Sequence, residues 1–527
     1  MFRYKFCPNW VTNVPLYWYL QKSHYVKLCG AIIIMPKTTP DIALTFIKLR
    51  SSLSKPLYMQ LYEQLRDGVL NGMLKLGDRL PASRALAKDL QVSRNTVNLA
   101  YEQLCLEGYF NSKTGAGTYV CEQGDELVPK KNRDTLTTPT VTKQFQPKIN
   151  VRPWEKYIEF DTDYEPFQPF RIALPSLEYF PFDTWSRLTS NVYKEIHRYH
   201  LGYDSGQGYE PLRAAIASHL RINRSIQCDA SQVVIVNGSR QGLHLCMELF
   251  MQPGMECWME DPGYSSVKAA MLRFGGKICP VPISENGLDI QYAVEHYPEA
   301  KLAYVTPSHQ FPLGITMPLL ERMKLLRHAE KKGMLIIEDD YDSEFRYNGR
   351  PFPALKGLDT QGHVVYIGTF SKVLFPALRI GYVVMPHKEM AHELTKIKAV
   401  TDRQSPVIEQ AVLAAFIEQG HFARHLRKMR ILYKKHQDEL IDLFTKHLGD
   451  RVEIHANDAG MHFVLRIVQK KDLQKIKKHL HGSGVMLRPL DDFALMHKDE
   501  HAFLIGFTGL TSKVMEKAVL KIKDVLL

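Results

Sequence analysis

Six short apolar runs recur between residues 231 and 385, and segments with helical periodicity separate them. In chain order the runs read SQVVIVNG, MECWME, AKLAYVT, GMLIIED, HVVYIG and IGYVVM. Strands that are apolar along their whole length are typical of a parallel sheet covered by helices on both faces. The pattern therefore predicts an α/β domain with a mostly parallel central sheet over residues 159–527. Helical spacing after Met390, followed by GMHFVLRI and HAFLIGF, predicts a small C-terminal α/β lobe within it.

One lysine, Lys372, directly follows the fifth of these predicted strands in the segment TFSKVLFPALRIGY. Thr369 and Ser371 place hydroxyl groups beside it, and Arg379 follows seven residues later. A lysine amine forms an imine with an aldehyde, while hydroxyl and guanidinium groups hold a phosphate. These are the groups that a pyridoxal 5'-phosphate site requires.

Polar residues follow other predicted strands, at the edge where parallel sheets bind ligands. Ser239 and Arg240 open a helix after the first strand, and the free N–H groups of a helix N-terminus bind phosphate. Tyr264 can stack on a planar heterocycle. Asp339 can keep a pyridine nitrogen protonated, and Tyr341 can hydrogen-bond the ring's 3'-oxygen. Each residue alone has a structural alternative, such as a capping turn or a metal ligand, but together they predict one cofactor site.

The segment 43–121 has a different pattern, which predicts three helices and a hairpin. Ser83 can cap the second helix and Ser93 the third. The third helix exposes Arg, Asn and Thr side chains and Asn98 in its first turns, as the helix-turn-helix arrangement does. Lys113 in the glycine-rich hairpin can contact phosphate. Periodicity alone equally fits a small helical interaction module without DNA.

The amino-acid sequences of both regions are similar to those of known families. GDRLPASRALAKDLQVSRNTVNLAYEQLCLEGYF and GAGTYV resemble the GntR-type winged helix-turn-helix. EDPGY, VTPSHQFPLG, IIEDDYDSEFRY and TFSKVLFPALRIGY resemble the fold-type I pyridoxal-phosphate-dependent aminotransferases. Together they resemble the MocR-type regulators over about residues 50–510. The resemblance implies DNA contacts from Arg84, Arg94, Asn95, Thr96 and Gly117.

The same resemblance implies roles for the cofactor residues. Lys372 would form the internal aldimine, Asp339 would pair with the pyridine nitrogen, and Tyr341 would contact the 3'-oxygen. Tyr264 would stack on the ring. The implied phosphate ligands are Ser239, Arg240, Ser371 and Arg379. Tyr203, in GYDSGQGYEPLR, would reach the cofactor phosphate of a partner subunit, which implies a homodimer.

The chain departs from the aminotransferase pattern at two positions. Phe311 precedes Pro312-Leu313-Gly314, where many of these enzymes carry an asparagine beside the cofactor. Leu504, in FLIGF, stands where they carry an arginine that clamps the substrate carboxylate, and an apolar side chain cannot do this. Arg488 is a candidate substitute, although a surface arginine is the simpler interpretation. These departures weaken the case for transamination.

Composition adds weaker constraints. A net charge of +12 fits a polyanion partner such as DNA. The eight cysteines form no CxxC pair, so we expect no metal site. The apolar stretch 31–35 is too short to cross a membrane, so we expect a cytoplasmic protein without a membrane partner. Residues 1–42 are interpreted as an extension, with Met35 as a candidate natural start, and residues 122–158 as a linker.

We therefore expect a DNA-binding transcriptional regulator. Its dimeric aminotransferase-like domain would sense pyridoxal phosphate, a small amine or an amino acid, and would reposition two winged helices on a two-part operator. Control of vitamin B6 synthesis is one expected role, because the missing carboxylate clamp favours the cofactor itself as the signal. The alternatives are a catalytically active aminotransferase and a structural DNA-binding dimer with a vestigial pocket.

Overall fold

The computed structural model describes residues 44–52, 54–113, 117–121, 152, 154–157, 168–203, 205–349, 352–469, 473–496, 498–499 and 501–526. The chain divides into two compact units between residues 146 and 147. The extension 1–42 and most of the linker 122–158 lie outside the described residues, so these domain boundaries remain predictions. In the described part, no helix is long and apolar enough to cross a membrane. The same residues contain no His, Cys, Asp or Glu cluster suited to a metal.

The first unit contains three helices and a three-stranded antiparallel sheet with the strand order β1-β3-β2. Its elements are α1 (Leu57–Leu70), β1 (Arg79–Leu80), α2 (Ser83–Asp89), α3 (Arg94–Leu106), β2 (Phe110–Lys113) and β3 (Gly117–Val120). Leu61 and Leu65 of α1 are fully buried in one core with Val97 and Leu104 of α3. The fold is the predicted winged helix-turn-helix, with β1 as an additional strand.

The two predicted helix caps have different outcomes. The Ser93 hydroxyl accepts a hydrogen bond from Thr96 N–H at 3.1 Å and caps α3, as predicted. The Ser83 prediction was wrong by one position, because Ala82 occupies the cap and Ser83 is the first helical residue. Ser83 Oγ instead accepts a long contact of 3.4 Å from Arg94 Nε.

The second unit is a three-layer α/β domain with a smaller C-terminal lobe. Its helices are α4 (Phe182–Glu195), α5 (Glu210–Arg224), α6 (Ser239–Phe250), α7 (Ser265–Arg273), α8 (Ile290–His296), α9 (Leu319–Lys332), α10 (Leu355–Leu358), α11 (Lys388–Thr401), α12 (Val407–Glu418), α13 (His421–Leu448), α14 (Leu473–Gly482) and α15 (Ser512–Leu526). Its strands are β4 (Val233–Val236), β5 (Glu256–Asp261), β6 (Lys277–Ser284), β7 (Gly287–Leu288), β8 (Leu302–Val305), β9 (Leu335–Asp340), β10 (Val364–Thr369), β11 (Gly381–Val384), β12 (Val452–His455), β13 (His462–Ile467), β14 (Arg488–Pro489) and β15 (Ala502–Gly506).

Eight strands form the large sheet in the order β4-β11-β10-β9-β8-β5-β6-β7. Strands β10, β9, β8, β5 and β6 are parallel, whereas β11 runs antiparallel to both of its neighbours. All six predicted strands are present. Alternate side chains of one strand enter different cores, as Val364 and Val365 do, because both faces are covered by helices. This double burial explains the unbroken apolar runs.

Strand β6 was missed because its sequence KICPVPIS contains Pro280 and Pro282, which argue against a strand interior. The proline positions are tolerated on β6 because it lies near the end of the sheet, beside the two-residue strand β7. The predicted small lobe contains an antiparallel sheet in the order β12-β13-β15-β14. Within it Arg488 is directly opposite Leu504.

Candidate functional site

A cavity of about 320 Å³ opens at the carboxyl ends of the parallel strands in the second unit. Six of the predicted cofactor residues line it together: Ser239, Arg240, Tyr264, Asp339, Tyr341 and Lys372. They lie at the ends of different strands or in the segments that follow them, and the strand order brings these ends to one edge. These six predicted residues therefore meet in a single pocket.

Lys372 lies three residues beyond the end of β10 and is half-buried at the pocket wall. Burial, together with the positive charges of Arg240, Arg379 and Arg171, lowers the pKa of Lys372 to about 8. The nearby Asp342 carboxylate opposes this shift. A substantial fraction of this amine is neutral near physiological pH, and only a neutral amine is a nucleophile.

Asp339 and Asp340 end β9 and point to opposite sides of the sheet. Asp340 is buried in the core, where it forms an ion pair with Arg224 at 2.7 Å. Asp339 lines the pocket, where its Oδ2 accepts a hydrogen bond of 2.7 Å from Tyr304 Oη. Burial raises the pKa of Asp339 to about 7 despite this hydrogen bond. Its Oδ1 is buried and has no partner among the described residues.

Aromatic side chains form the walls around this carboxyl group. The rings of Tyr264 and Phe311 meet edge to face at 5.8 Å, and those of Phe311 and Tyr341 do so at 5.9 Å. Arg240 Nε donates a hydrogen bond of 2.9 Å to Tyr264 Oη, which fixes the phenol. Burial raises the pKa of Tyr341 well above its ordinary value, so its hydroxyl remains a hydrogen-bond donor.

Two of the predicted phosphate ligands, Ser239 and Arg240, lie where β4 turns into α6, and Arg379 contacts the same turn. Gly238 has a φ of +83° and precedes the first helical residue, Ser239. A Cβ atom on Gly238 would stand 2.8 Å from Arg379 Nη2, so glycine allows the guanidinium to approach. Arg379 Nη2 donates to the Asn237 carbonyl at 2.8 Å. Ser371 Oγ is buried without a partner in the described part of the chain.

Four predicted residues lie outside the cavity lining: Ser371 and Arg379, described above, and Thr369 and Tyr203. Thr369 is buried, and its hydroxyl accepts a hydrogen bond from Ser371 N–H at 3.2 Å, so it shapes the turn that precedes Lys372. Tyr203 is 79% exposed and its ring contacts the Arg403 guanidinium at 3.8 Å. The roles predicted for Thr369 and Tyr203, like those of the residues that line the cavity, remain predictions.

Several pocket residues were not identified from the sequence. Tyr304 could have been noticed as a phenol within an otherwise apolar predicted strand. Its hydrogen-bond partner, Asp339, is 35 residues away in the sequence, so the contact itself could not be predicted. Arg171 lies in a loop without periodicity and gave no signal. His309 stood inside the noted segment VTPSHQFPLG, yet its hydrogen bond to Asp342 depends on the fold.

The first unit presents the candidate DNA-contacting residues. Arg84, Arg94 and Asn95 are exposed, whereas Thr96 and Asn98 are half-buried. Thr96 has a structural task as well, because its N–H and hydroxyl both contact the Ser93 hydroxyl. Lys113 ends β2, and its side chain is outside the described residues. Gly117 opens β3 with a φ of +109°, which favours glycine.

The pocket residues fit pyridoxal phosphate. The orphaned Asp339 Oδ1 can accept from a protonated pyridine nitrogen, and the orphaned Ser371 Oγ can donate to a phosphate. Ser239 N–H begins a helix and Arg240 supplies positive charge at the same end. When bound, this cofactor supplies a reactive aldehyde and an electron-withdrawing pyridine ring.

Comparison with known proteins agrees with this geometry. Residues 188–522 match the model of "Aminotransferase class I and II", and residues 57–120 match "Bacterial regulatory proteins, gntR family". The probable rhizopine catabolism regulatory protein MocR of Rhizobium meliloti is 37% identical and spans 90% of this chain and 94% of its own. The chain belongs to the MocR-type regulators. It therefore combines a GntR-type DNA-binding region with an aminotransferase-like domain in a transcriptional regulator.

Other members and solved structures extend the comparison. The pyridoxine biosynthesis regulator PdxR of Corynebacterium glutamicum is 31% identical over 88% of this chain and 95% of its own. The multiple substrate aminotransferase of Thermococcus profundus has a TM-score of 0.65 at 25% identity. The match covers 71% of this chain and 97% of that protein. The kynurenine aminotransferase of Pyrococcus horikoshii, solved with PMP, shares the fold with a TM-score of 0.64 at 24% identity over 68% of this chain and 90% of its own.

The lowered pKa of Lys372 predicts how the attachment rate of pyridoxal phosphate depends on pH. The rate should rise about tenfold per pH unit below pH 8, where most of the amine is protonated, and level off above it. Stopped-flow absorbance of cofactor-free protein between pH 6 and 10 measures this rate. In Arg171→Gln, the loss of a nearby cation should move the plateau to higher pH. A rate that still rises beyond pH 9.5 in the unsubstituted protein contradicts the lowered pKa.

Proposed function

We propose that this MocR-type regulator is a cytoplasmic protein that binds pyridoxal phosphate at Lys372 and uses the occupied pocket to control DNA binding. The observation that carries the proposal is the pairing, in one cavity, of a lysine with a pKa lowered to about 8 and a buried carboxyl oxygen without a partner among the described residues. A phosphorylated pyridine aldehyde complements both groups.

The pocket residues have distinct tasks in this proposal. Lys372 would hold the cofactor covalently through its amine, and the cofactor would supply the aldehyde for this attachment. Asp339 accepts the pyridine N–H, and Tyr304 holds the other carboxyl oxygen in place. Tyr264 covers the ring, while Ser239, Arg240, Ser371 and Arg379 receive the phosphate.

A homodimer is part of the proposal. The segment 182–203 exposes large apolar side chains, including Phe182 at 58%, Tyr193 at 64% and Tyr203 at 79% exposure. Exposed apolar groups of this size are typical of protein interfaces. Two winged helices in one dimer would read two half-sites, with Arg84, Arg94, Asn95, Thr96, Asn98, Lys113 and Gly117 at the DNA.

The effector in this proposal is pyridoxal phosphate itself or a small amine or amino acid that enters the same pocket. PdxR is named for pyridoxine biosynthesis, which favours the cofactor as the signal, whereas MocR is named for rhizopine catabolism. Arg488 supports an anionic amine. Its side chain lines the cavity, and its position opposite Leu504 puts a guanidinium next to the place where aminotransferases carry their carboxylate clamp.

A catalytically active aminotransferase is the second candidate function. The specific observation in its favour is the complete pocket set, Lys372, Asp339 and Tyr341, which does not exclude exchange with an external amine. Aromatic-amino-acid aminotransferase 1 of Thermococcus litoralis is 26% identical over 67% of the chain. Sustained turnover of an amino donor with a keto acid would favour this function over regulation.

Lys372→Ala tests cofactor attachment. The purified protein should gain a visible absorbance band on incubation with pyridoxal phosphate, and the band should be absent in the variant because no amine is left to react. The exposed Lys435→Ala is the matched control and should keep the band. A band that persists in Lys372→Ala, or none in the unsubstituted protein, removes the cofactor claim.

Arg94→Ala tests the DNA interface. Loss of a base or phosphate contact should weaken binding to the DNA upstream of the protein's own gene by about tenfold or more. Binding should also weaken as salt rises, which gel shifts at several ionic strengths will measure. Arg50→Ala, an equally exposed arginine of the same unit, should leave affinity within about twofold. Equal effects of the two substitutions would argue against a specific role for Arg94.

Arg488→Leu tests the anionic effector. Calorimetric affinity of the cofactor-loaded protein for 4-aminobutanoate should fall about 10- to 100-fold, the size of a lost charge-assisted contact. Affinity for butylamine should stay unchanged because it lacks the carboxylate. Arg221→Leu, an exposed arginine on α5, is the control. If butylamine and 4-aminobutanoate bind the unsubstituted protein equally, Arg488 does not select the effector.

A further inference from the structure

Beneath Tyr341 lies a buried pair of side chains, His309 and Asp342, which are 2% and 1% exposed. His309 Nδ1 stands 3.1 and 3.0 Å from the two Asp342 carboxylate oxygens. The same nitrogen is 2.9 Å from Tyr341 Oη. One ring nitrogen therefore meets a carboxylate and the phenol of a pocket residue at once.

The His309 ring has little freedom to rotate. Gly460, with a φ of +90°, packs so tightly that a Cβ atom there would stand 2.0 Å from His309 Cε1. A Cβ atom on Gly314 would stand 2.9 Å from Nε2. His462 packs 5.3 Å away, centroid to centroid, and its own Nε2 contacts the Pro312 carbonyl at 2.9 Å. The glycines and the second ring hold the imidazole in one orientation.

The proton on His309 follows from the state of Asp342. Burial raises the pKa of Asp342, and the contact with His309 opposes this shift. In its ionised form the carboxylate is only an acceptor, so its contact with Nδ1 places a hydrogen on that nitrogen. The Nδ1–H then donates toward Asp342, and Nδ1 has no lone pair left to accept from Tyr341. Tyr341 Oη can therefore only share the hydrogen that faces Asp342 and cannot donate its own hydrogen to Nδ1. Its own O–H must point elsewhere, and the cavity that Tyr341 lines is the space in front of it.

We propose that His309 and Asp342 are positioning residues that direct the Tyr341 hydroxyl hydrogen toward the 3'-oxygen of pyridoxal phosphate. The inference rests on the proposed function, since it requires the cofactor in this pocket. The Tyr341 contact matters more in this chain because of Phe311. Its side chain has no hydrogen-bonding group, whereas many aminotransferases carry an asparagine beside the cofactor at this position. The Tyr341 hydroxyl would therefore contact the 3'-oxygen without help from an asparagine, and the His309–Asp342 pair would set the direction of its hydrogen.

The predicted consequence is a change in proton affinity. A donor to the 3'-oxygen competes with the proton on the Lys372 nitrogen for this oxygen, and so lowers the proton affinity of the bound chromophore. Without His309, the Tyr341 hydroxyl can turn to the Asp342 carboxylate instead. The apparent pKa of the visible absorbance should then rise. The other charged groups around Lys372 and Tyr341, namely Arg171, Arg240, Arg379, Asp339, Asp340 and Glu260, are unchanged in such a variant.

The experiment is a spectroscopic pH titration of the full-length, cofactor-loaded protein. His309→Leu should raise the apparent pKa by about one to two pH units, the size of one hydrogen bond to a charged oxygen. His309→Asn should restore the original value, because its amide nitrogen occupies the place of Nδ1 and donates to Asp342. His309→Gln replaces His309→Leu if that variant does not fold, since it offers no donor at the Nδ1 position.

A double-variant cycle separates positioning from a general structural effect. Tyr341→Phe alone should raise the apparent pKa, and adding His309→Leu should raise it no further. An equal rise from His309→Leu in the presence and absence of the Tyr341 hydroxyl would overturn the inference, as would an unchanged value in His309→Leu. A protein that never gains a visible band refutes the proposed function instead, so the two failures are distinguishable.

Discussion

Burial acts in opposite senses on Lys372 and Asp339, and the pocket of the second unit depends on this. The pKa of the lysine is lowered to about 8 and that of the carboxyl is raised to about 7, in both cases with burial as the largest cause. Each shift moves a group toward its neutral form, so neither group has the partner that its charge requires. A ligand with an aldehyde would react with Lys372, and a basic ring nitrogen on the same ligand would give Asp339 a partner.

The sheet makes this arrangement possible. Because side chains alternate along β9, adjacent aspartates serve different purposes: Asp340 is paired with Arg224 in the core, while Asp339 enters the pocket. Strand β10 carries Lys372 to the same edge, and the register between β9 and β10 sets their separation. Of the hydrogen-bonding residues behind them, Tyr304 lies in β8 and His309 in the loop that follows it. Rigid scaffolding of this kind keeps a binding site ready without ordering cost.

The sequence predicted those parts of the molecule that local patterns specify. The apolar strands can be predicted because burial on two faces requires an unbroken apolar run of a few residues. The lysine after β10 can be predicted because its neighbours in the sequence include the hydroxyl and arginine side chains of the site. Strand β6 was not readable, because its prolines oppose the local propensity and only the position near the sheet end accommodates them. Tyr304 and His309 became functional candidates only through partners more than 30 residues away. Hydrogen-bond direction is a property of the folded pocket.

Regulation adds a thermodynamic condition to this pocket chemistry. A ligand shifts DNA binding only if it binds the DNA-competent and DNA-incompetent arrangements with different affinity. A difference of about 1–3 kcal/mol gives a roughly five- to hundredfold response. An enzyme must release its product, whereas a sensor must hold its signal. The sequence predicts that Leu504 stands in place of the arginine clamp, and Arg488 lies opposite it. Such an exchange would alter how amines are held while leaving Lys372 and Asp339 in place, as expected of a catalytic pocket retained for binding.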